Sequence, residues 1–238
     1  MKILFIFAHP DDETVACAGT IRQLTDLGHS VTVISVTDGG AGEFPDNLKK
    51  AVVEAGGIGP YRSMEFNQVC QVLGIENQTI LNYQDGQINN LMTWGTLADD
   101  LSGQIDRIKP DLLITFDHTG WYYHLDHVGV SIATTIAFHK AKYQVPLLML
   151  SHFRPIKIPS KRWPYAFSPT PSITHAVTVR DIDHKLRSLD CHLSQNLQVV
   201  CDYVVKSKPH QEFYELAFVR GEGKKVLKKM QVFRVITK

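Results

Sequence analysis

The sequence predicts an α/β protein built on a mostly parallel β-sheet, and three observations support this. Short apolar, β-branched runs alternate with longer segments of helical periodicity in the first half, which is typical of βαβ units. The run "KILFIFA" is apolar throughout, as expected for a strand covered on both faces. Gly28 and Gly74 directly follow two of the predicted helices, at positions where helices commonly end.

Five strands are predicted in the first half, in the order "KILFIFA", "SVTVISVTDG", "QTILNY", "DLLITFD" and "PLLMLSHF". Helices are predicted from Asp11 or Asp12 to Leu27, from Tyr61 to Leu73, around Leu97–Ile108, and over "HLDHVGVSIATTIAFHKA". Asp11 or Asp12 is expected to cap the first helix. Because ligands of such sheets bind beyond the carboxyl ends of the strands, we expect His9 and the segment from Asp117 to His127 to converge.

The second half is less regular. The proline-rich stretch from Lys157 to Ser172 predicts an ordered loop or lid. "THAVTVRD" predicts a strand, and "DIDHKLRSLDCHLSQ" predicts a helix entered through Asp181 or Asp183. Since no repeat or linker is visible, we predict one domain over residues 1–238, with a core at 1–150 and a loop-rich, substrate-side extension at 151–238.

Composition and charge narrow the classes of function. The 238 residues carry a formal net charge of +1, which favours neither a nucleic acid nor an anionic membrane as partner. The four cysteines form no CxxC pair, which argues against a disulfide framework or a thiolate zinc site. The apolar start before Pro10 is too short for a signal peptide or a membrane span. We therefore expect a cytoplasmic protein, and we interpret the basic segment "GKKVLKKMQVFRVITK" as a solvated edge.

The first candidate site is the turn "HPDDE", which begins at His9 directly after the first strand. Acids in the first turn of a helix are common because the helix N-terminus favours them, so a purely structural role is one explanation. A divalent cation is the second explanation, since it would neutralise the acids and also use the histidine. A catalytic zinc ion keeps three nitrogen or carboxylate ligands from the protein, so a third ligand would come from elsewhere.

The second candidate site is the segment "DHTGWYYHLDHVGV". His124 and His127 are three residues apart and would share one face of a helix. Such histidine pairs are a common metal-ligand arrangement, and the alternative is a solvated helix start. Because this segment follows the fourth strand, at the same sheet edge as His9, we favour the metal site.

Together, "AHPDDE" and "HLDH" resemble the motifs of the zinc-dependent de-N-acetylases of the PIG-L/LmbE type. The resemblance continues through "AGTI", "TDGGAGE", "RSMEFNQVCQVLGI", "LNYQDG" and "KLRSLDCHLSQ", so it covers most of the chain from Met1 to about Gln195. The chain departs from the family pattern at Gly40, where Glu is frequent, and at Ala18, where Gly is common. The resemblance implies a Rossmann-like three-layer fold and zinc-dependent removal of an N-acetyl group from a small glucosamine-containing substrate.

The resemblance also implies roles for individual residues. The implied zinc ligands are His9, Asp12 and His127. Asp11 is the implied general base, which takes a proton from the attacking water. We further expect His124 to stabilise the oxyanion and to help protonate the departing amine, with Asp126 orienting its imidazole and favouring its charged form.

Three further residues have two interpretations each. Arg62 is predicted to bind substrate hydroxyls, or alternatively to pair with Glu65. Tyr122 is predicted to offer its hydroxyl to the oxyanion, or alternatively to pack within its loop. His192 is a candidate to reach the site from the second half, although an exposed helical histidine is the favoured interpretation.

Two other classes of function compete with the deacetylase. A non-catalytic nucleotide-binding module would use "TDGGAGE" to cradle a phosphate, but the sequence lacks GxGxxG after the first strand and lacks GxxxxGK[ST]. A metal-dependent esterase or phosphatase is the other alternative. The resemblance also implies frequent assembly into homo-oligomers, for which the sequence shows no interface signature, and variable loops are expected to define the rest of the substrate.

Overall fold

A computed structural model describes residues 1–153 and 172–236, which form a single eight-stranded sheet with its helices. The strands are β1 (Lys2–Phe7), β2 (Ser30–Thr37), β3 (Asn77–Tyr83), β4 (Leu112–Phe116), β5 (Leu147–His152), β6 (His175–Thr178), β7 (Gln211–Val219) and β8 (Arg234–Val235). Their order is β3-β2-β1-β4-β5-β7-β6-β8, with β1 to β5 parallel and the remaining pairings antiparallel. The fold is therefore the expected α/β architecture with a mostly parallel sheet.

The helices are α1 (Asp12–Asp26), α2 (Lys49–Glu54), α3 (Ile58–Leu73), α4 (Leu91–Ile108), α5 (Gly120–Tyr123), α6 (Leu125–Lys140), α7 (Ile182–Asp190), α8 (Gln198–Lys206) and α9 (Gly223–Met230). Helices α1, α3 and α7 pack on one another, and α4 packs on α6. Right-handed crossovers place these two groups on opposite faces of the sheet. Strand β1 is consequently covered on both sides, and its residues from Ile3 to Phe7 are fully buried.

The predicted strands of the first half are confirmed, whereas several helix bounds differ from the prediction. Gly74 ends α3 in the left-handed conformation (φ 71°), as its type predicts. Helix α7 begins after Asp181, whose side chain accepts a hydrogen bond from the His184 backbone N–H. It ends at Asp190 rather than near Gln195, and the segment that follows Asp190 contacts α3 instead of continuing the helix. There the Glu65 carboxylate accepts hydrogen bonds from the backbone N–H and the hydroxyl of Ser194.

The second half extends the sheet with the antiparallel strands β6, β7 and β8. Glu212 of β7 fastens this extension to α1, since its buried carboxylate accepts hydrogen bonds from the backbone N–H groups of Gly19 and Thr20. Lys185 of α7 is paired with the same carboxylate. The predicted loop or lid from Lys157 lies outside the described residues, apart from Ser172, and the division at residue 150 stays a prediction.

The strand order places the two candidate motifs next to each other. The chain leaves β1 towards β2 and β3 on one side, and β4 and β5 lie on the other side, so the order reverses between β1 and β4. Such a switch point opens a crevice at the carboxyl ends of the two strands. His9 follows β1, and the segment leading to His127 follows β4, so the expected convergence is confirmed.

Candidate metal centre

Three side chains converge at the switch point with the spacing of metal ligands. His9 Nδ1 lies 3.2 Å from His127 Nε2. Asp12 contributes Oδ1, 3.2 Å from His127 Nε2, and Oδ2, 3.5 Å from His9 Nδ1. Ligand atoms about 2.0–2.1 Å from a tetrahedral zinc ion lie roughly 3.3–3.4 Å from one another. The nitrogen–nitrogen separation is close to this value, and the Asp12 carboxylate meets the two histidines through different oxygens. Nitrogen atoms of His9, His124 and His127 also lie within 4.8 Å of one another, so the geometry offers both Asp12 and His124 as candidates for the third ligand.

The turn after β1 is held by its own carboxylates rather than by a helix cap. Asp12 Oδ2 accepts a hydrogen bond of 2.8 Å from the His9 backbone N–H, which fixes these two candidate ligands relative to each other. Asp11 occupies the N-cap position of α1, but its side chain makes no capping hydrogen bond. The capping expectation is therefore wrong for Asp11. Its backbone φ of 139° is strained for a residue with a side chain, which is characteristic of functional turns.

The turn before α6 brings His127 to the centre through an irregular backbone. Gly120 adopts φ 58°, and a Cβ atom there would lie 2.8 Å from the His127 Cβ. Trp121 has φ 64° and ψ −53°, and its indole Nε1–H donates to the Ser151 carbonyl at 3.0 Å. Asp117 accepts hydrogen bonds from the backbone N–H groups of Thr119 and Trp121. Asp117 thus supports the loop that carries His127.

The electrostatics of the centre favour a cation. Burial lowers the pKa of His9, but the carboxylates of Asp12, Asp126 and Asp85 outweigh this effect and raise the pKa well above its usual value. Burial would raise the pKa of Asp12, yet His127 and His9 hold it at about 2. Burial lowers the pKa of His127 to about 3. At neutral pH the site therefore offers an ionised Asp12 carboxylate and a neutral His127 imidazole, which are the protonation states that metal binding requires, whereas His9 would release its proton when a cation binds.

Two carboxylates lie on the far side of the His9 ring. Asp85 Oδ1 is 3.0 Å and Asp126 Oδ2 is 3.3 Å from His9 Nε2, the nitrogen that does not face Asp12 and His127. A carboxylate in this position orients a ligating imidazole and raises its basicity. Asp85 was missed by sequence reasoning, although its turn follows β3 at the same edge of the sheet.

The structure corrects the expected partner of Asp126. Its carboxylate accepts hydrogen bonds from the backbone N–H groups of Gly86 and Ile88 and faces His9, and within the described ranges it forms none with His124. The pKa of His124 is lowered by burial and by the nearby His9 charge. The expectation that Asp126 keeps His124 charged is therefore wrong for this arrangement.

Asp11 is paired with Arg62 beside the ligands. The guanidinium Nη2 lies 3.3 Å from Asp11 Oδ2 and donates to the Pro10 carbonyl at 2.8 Å, and Nη1 donates to the Gly39 carbonyl. Burial raises the pKa of Asp11 to about 6, and the Arg62 charge opposes that rise. The alternative of an ion pair between Arg62 and Glu65 is wrong, because Glu65 binds Ser194 instead.

A cleft of ≈ 390 Å³ opens over the centre. His124 lines it, with its ring centroid 4.5 Å from that of His127. Tyr122 lines it too, with its ring centroid 6.1 Å from that of His124. The lining also includes apolar side chains, namely those of Val15, Trp121, Phe153, Leu197 and Val200.

His192 lies away from the cleft. Its Nε2 atom is 3.1 Å from the Thr14 hydroxyl and 3.7 Å from the Glu13 carboxylate, and the residue is 2% exposed. The interpretation as an exposed helical histidine is wrong, because the turn after α7 folds His192 against α1. Its role in binding substrate stays a prediction.

Comparison with known proteins assigns the family. Residues 4–138 match the PIG-L family, described as GlcNAc-PI de-N-acetylase. This match covers more than half of the chain, which therefore belongs to the PIG-L family. A 1D-myo-inositol 2-acetamido-2-deoxy-α-D-glucopyranoside deacetylase of Thermobifida fusca (strain YX) is 31% identical over 157 residues, which are 59% of this chain and 55% of that protein. The chain thus spans about half the length of the curated relatives it matches.

Solved structures of distant relatives share the fold. The N,N'-diacetylchitobiose deacetylase of Pyrococcus horikoshii superposes with a TM-score of 0.63 at 19% identity, over 90% of this chain and 83% of that chain. The 4-carboxy-2-hydroxymuconate hydratase of Pseudomonas putida KT2440 superposes with a TM-score of 0.65 at 16% identity, over 92% and 97%. Because proteins with this fold include both a deacetylase and a hydratase, the activity of this chain must be argued from its site.

No helix among residues 1–153 and 172–236 is both long enough and apolar enough to cross a membrane.

Proposed function

We propose that this protein is a zinc-dependent de-N-acetylase that hydrolyses the acetamide of a small glucosamine-containing substrate. The observation that carries the proposal is the set of separations of 3.2, 3.2 and 3.5 Å among His9, Asp12 and His127, beside a carboxylate that is not a ligand. A zinc ion bound there would polarise the amide carbonyl and acidify the attacking water. Membership in the PIG-L family supports the acetamide as the reacting group.

The remaining chemistry comes from residues around the cleft. Asp11 is placed to take the proton of the attacking water, and Arg62 holds its carboxylate in position. His124 and Tyr122 also line the cleft, and we assign them the donation of hydrogen bonds to the developing oxyanion. A proton must also reach the departing amine, and we assign this transfer to Asp11 and His124 together.

The nucleotide-binding alternative is disfavoured by the hydrogen bonds of the Gly-rich loop. The backbone N–H groups of residues 39–42 donate to the Thr37 hydroxyl, to Asp38, to Asp85 and to the Gly39 carbonyl, in that order. A phosphate cradle needs such groups to point at the ligand. This loop is therefore not organised to bind a phosphate.

We also propose that the protein works in a reducing compartment such as the cytoplasm. All four cysteines are free, and Cys17 and Cys70 are buried. Oxidising compartments favour disulfides, so four unpaired cysteines support this proposal.

Acetate release from N-acetylglucosamine compounds by the zinc-loaded protein tests the activity. Asp11→Asn should retain zinc and lose ~10²–10⁴-fold in kcat, since an amide cannot accept the proton. His127→Ala should instead lose zinc. Asp46→Asn, at an exposed carboxylate outside the cleft, is the matched control and should change neither. Near-normal turnover of zinc-loaded Asp11→Asn would refute the assigned base, and full zinc occupancy of His127→Ala would refute the metal centre.

A further inference from the structure

The peptide bond that leads into Asp11 is held on both sides. Its carbonyl, on Pro10, accepts a hydrogen bond of 2.8 Å from Arg62 Nη2, and its N–H, on Asp11, donates to Glu13 Oε2 at 3.2 Å. The backbone of Asp11 is strained (φ 139°), so this conformation persists only while its surroundings hold it. Arg62 and Glu13 therefore hold the peptide from which the Asp11 side chain projects.

Glu13 is itself held by a chain of hydrogen bonds that begins at His192. The Thr14 hydroxyl donates to Glu13 Oε1 at 2.7 Å, and His192 Nε2 lies 3.1 Å from the same hydroxyl oxygen. A hydroxyl has a single proton, so Thr14 accepts from His192, whose Nε2 carries the N–H. All three residues are 0–2% exposed, so water does not replace these contacts.

The other ring nitrogen of His192 makes no such contact. Its Nδ1 atom is buried and has no hydrogen-bond partner among residues 1–153 and 172–236. A buried polar atom without a partner costs free energy, and an apolar side chain at this position would avoid that cost. The contact through Nε2 is therefore what the histidine adds to the packing of this turn.

The segment after α7 connects the helix that begins at the base with the helix that carries its ion-pair partner. His192 contacts α1, and two residues later Ser194 donates to Glu65 on α3. Arg62, which pairs with Asp11, lies three residues before Glu65 on the same helix. Neither His192 nor Ser194 lines the cleft, so this segment supports the base from outside it.

We propose that His192 is a positioning residue, which orients the carboxylate of Asp11 through Thr14 and Glu13. The proposal rests on the proposed deacetylase function, in which Asp11 takes the proton of the attacking water. It gives His192 a role in turnover that needs no contact with the substrate or the cation.

The first experiment compares His192→Phe and His192→Gln with wild type in the zinc-loaded protein. Phenylalanine keeps a ring but removes the Nε2–H donor, whereas the glutamine amide can still donate to Thr14. His192→Phe should lower kcat by roughly 10-fold and leave KM and zinc content within about twofold, because a misplaced base acts on the transition state alone. His192→Gln should recover most of the lost kcat, because it restores the donor.

Two further variants make this experiment decisive. His175→Phe is the matched control, since His175 is 5% exposed and contacts a threonine hydroxyl at 2.8 Å outside the cleft, and it should leave kcat unchanged. Thr14→Val removes the connecting hydroxyl and should reproduce the loss of His192→Phe, and the double variant should lose no more than either single variant. A wild-type kcat of zinc-loaded His192→Phe, a His192→Gln variant as slow as His192→Phe, or additive losses would each overturn the proposal.

The second experiment needs no turnover. Hydrogen exchange of the Asp11 backbone amide, followed by NMR in the zinc-loaded protein, reports on its hydrogen bond to Glu13. His192→Phe should accelerate this exchange roughly 10-fold more than that of Phe5 in the central strand, whereas His192→Gln should accelerate neither. Equal acceleration at Asp11 and Phe5, or none at Asp11, would overturn the proposal. If wild type releases no acetate, that result refutes only the proposed function, and the exchange rates still decide whether His192 orients Asp11.

Discussion

The pair of carboxylates behind His9 gives the sharpest test of the metal centre. Asp85 and Asp126 lie 3.0 and 3.3 Å from the same His9 Nε2 atom, which carries a single N–H. Either carboxylate can accept this hydrogen bond when the other is replaced by an amide. The two acids are therefore expected to be partly redundant in orienting His9.

The expected magnitudes follow from the contacts. Removing all such support from a ligating histidine costs ~10–100-fold in metal affinity. We expect Asp85→Asn and Asp126→Asn each to weaken zinc binding only a few-fold, roughly, because one carboxylate remains. The double variant should show the full loss of ~10–100-fold, so the two effects should not add.

The free energy of unfolding should distinguish the Asp126→Asn variant from the Asp85→Asn variant. Asp126 accepts the buried Ile88 N–H at 3.0 Å and the Gly86 N–H at 2.7 Å through different oxygens. An asparagine presents only one oxygen, so one of these N–H groups loses its acceptor, at a cost of ~1–3 kcal/mol in the free energy of unfolding. Among the residues that the structure describes, the exposed Ala41 N–H is the one backbone donor to Asp85, so Asp85→Asn should lower the free energy of unfolding less.

The assays are competition with a chromophoric zinc chelator and denaturant unfolding of the metal-free protein, applied to wild type, both single variants and the double variant. Additive losses of affinity would show that the carboxylates act independently. A double variant with wild-type affinity would refute the orienting role altogether.

Three further predictions concern stability. Because burial raises the pKa of Asp11 from 3.8 to about 6, the metal-free fold binds that proton more tightly than the unfolded chain and loses stability as the pH rises towards 6. Asp11→Asn should therefore raise the melting temperature of the metal-free protein above pH 6 and not below pH 3.8, and equal melting curves above pH 6 would count against this. Gly120→Ala should lower the free energy of unfolding by ~1–2 kcal/mol, because residue 120 has a left-handed backbone. The added Cβ should also displace His127 and lower zinc occupancy, and full occupancy would argue against this contact with His127. Glu212→Gln leaves the Lys185 charge buried without its counter-ion and should cost ~3–5 kcal/mol in denaturant unfolding, and a loss below about 1 kcal/mol would show that the pair is dispensable.

Periodicity and turn chemistry were enough to predict the first five strands. The run Ile3 to Phe7 is buried on both faces, so its uniform apolar character translates directly into a central strand. The antiparallel strand β7 was missed because its burial is mixed along its length, which leaves no uniform pattern in the sequence. Its Glu212 is buried only because Lys185, far away in the chain, supplies the counter-charge.

The convergence of His9, Asp12 and His127 could be predicted because these residues belong to short motifs at strand ends. The hydrogen-bond and ion-pair partners of individual side chains could not be predicted, because they depend on the direction in which each side chain points. Asp126 precedes His127 in a motif with His124, yet its side chain faces His9, from the other motif. Arg62 and Glu65 share a helix face at the spacing of an ion pair, yet they bind Asp11 and Ser194. In each case a buried partner from a distant segment outcompetes the local one.

The backbone around the centre shows where the fold is constrained most tightly. Three of the six non-glycine residues with positive φ in the described chain, Asp11, Trp121 and Tyr123, flank the ligands. Such conformations persist only when the surroundings over-determine them. Here the surroundings are the Arg62 contact to Asp11 and the Trp121 hydrogen bond to β5, both anchored in the buried core. We therefore expect the fold to set the arrangement of the candidate ligands before any cation binds, because relaxing either turn would break buried polar contacts.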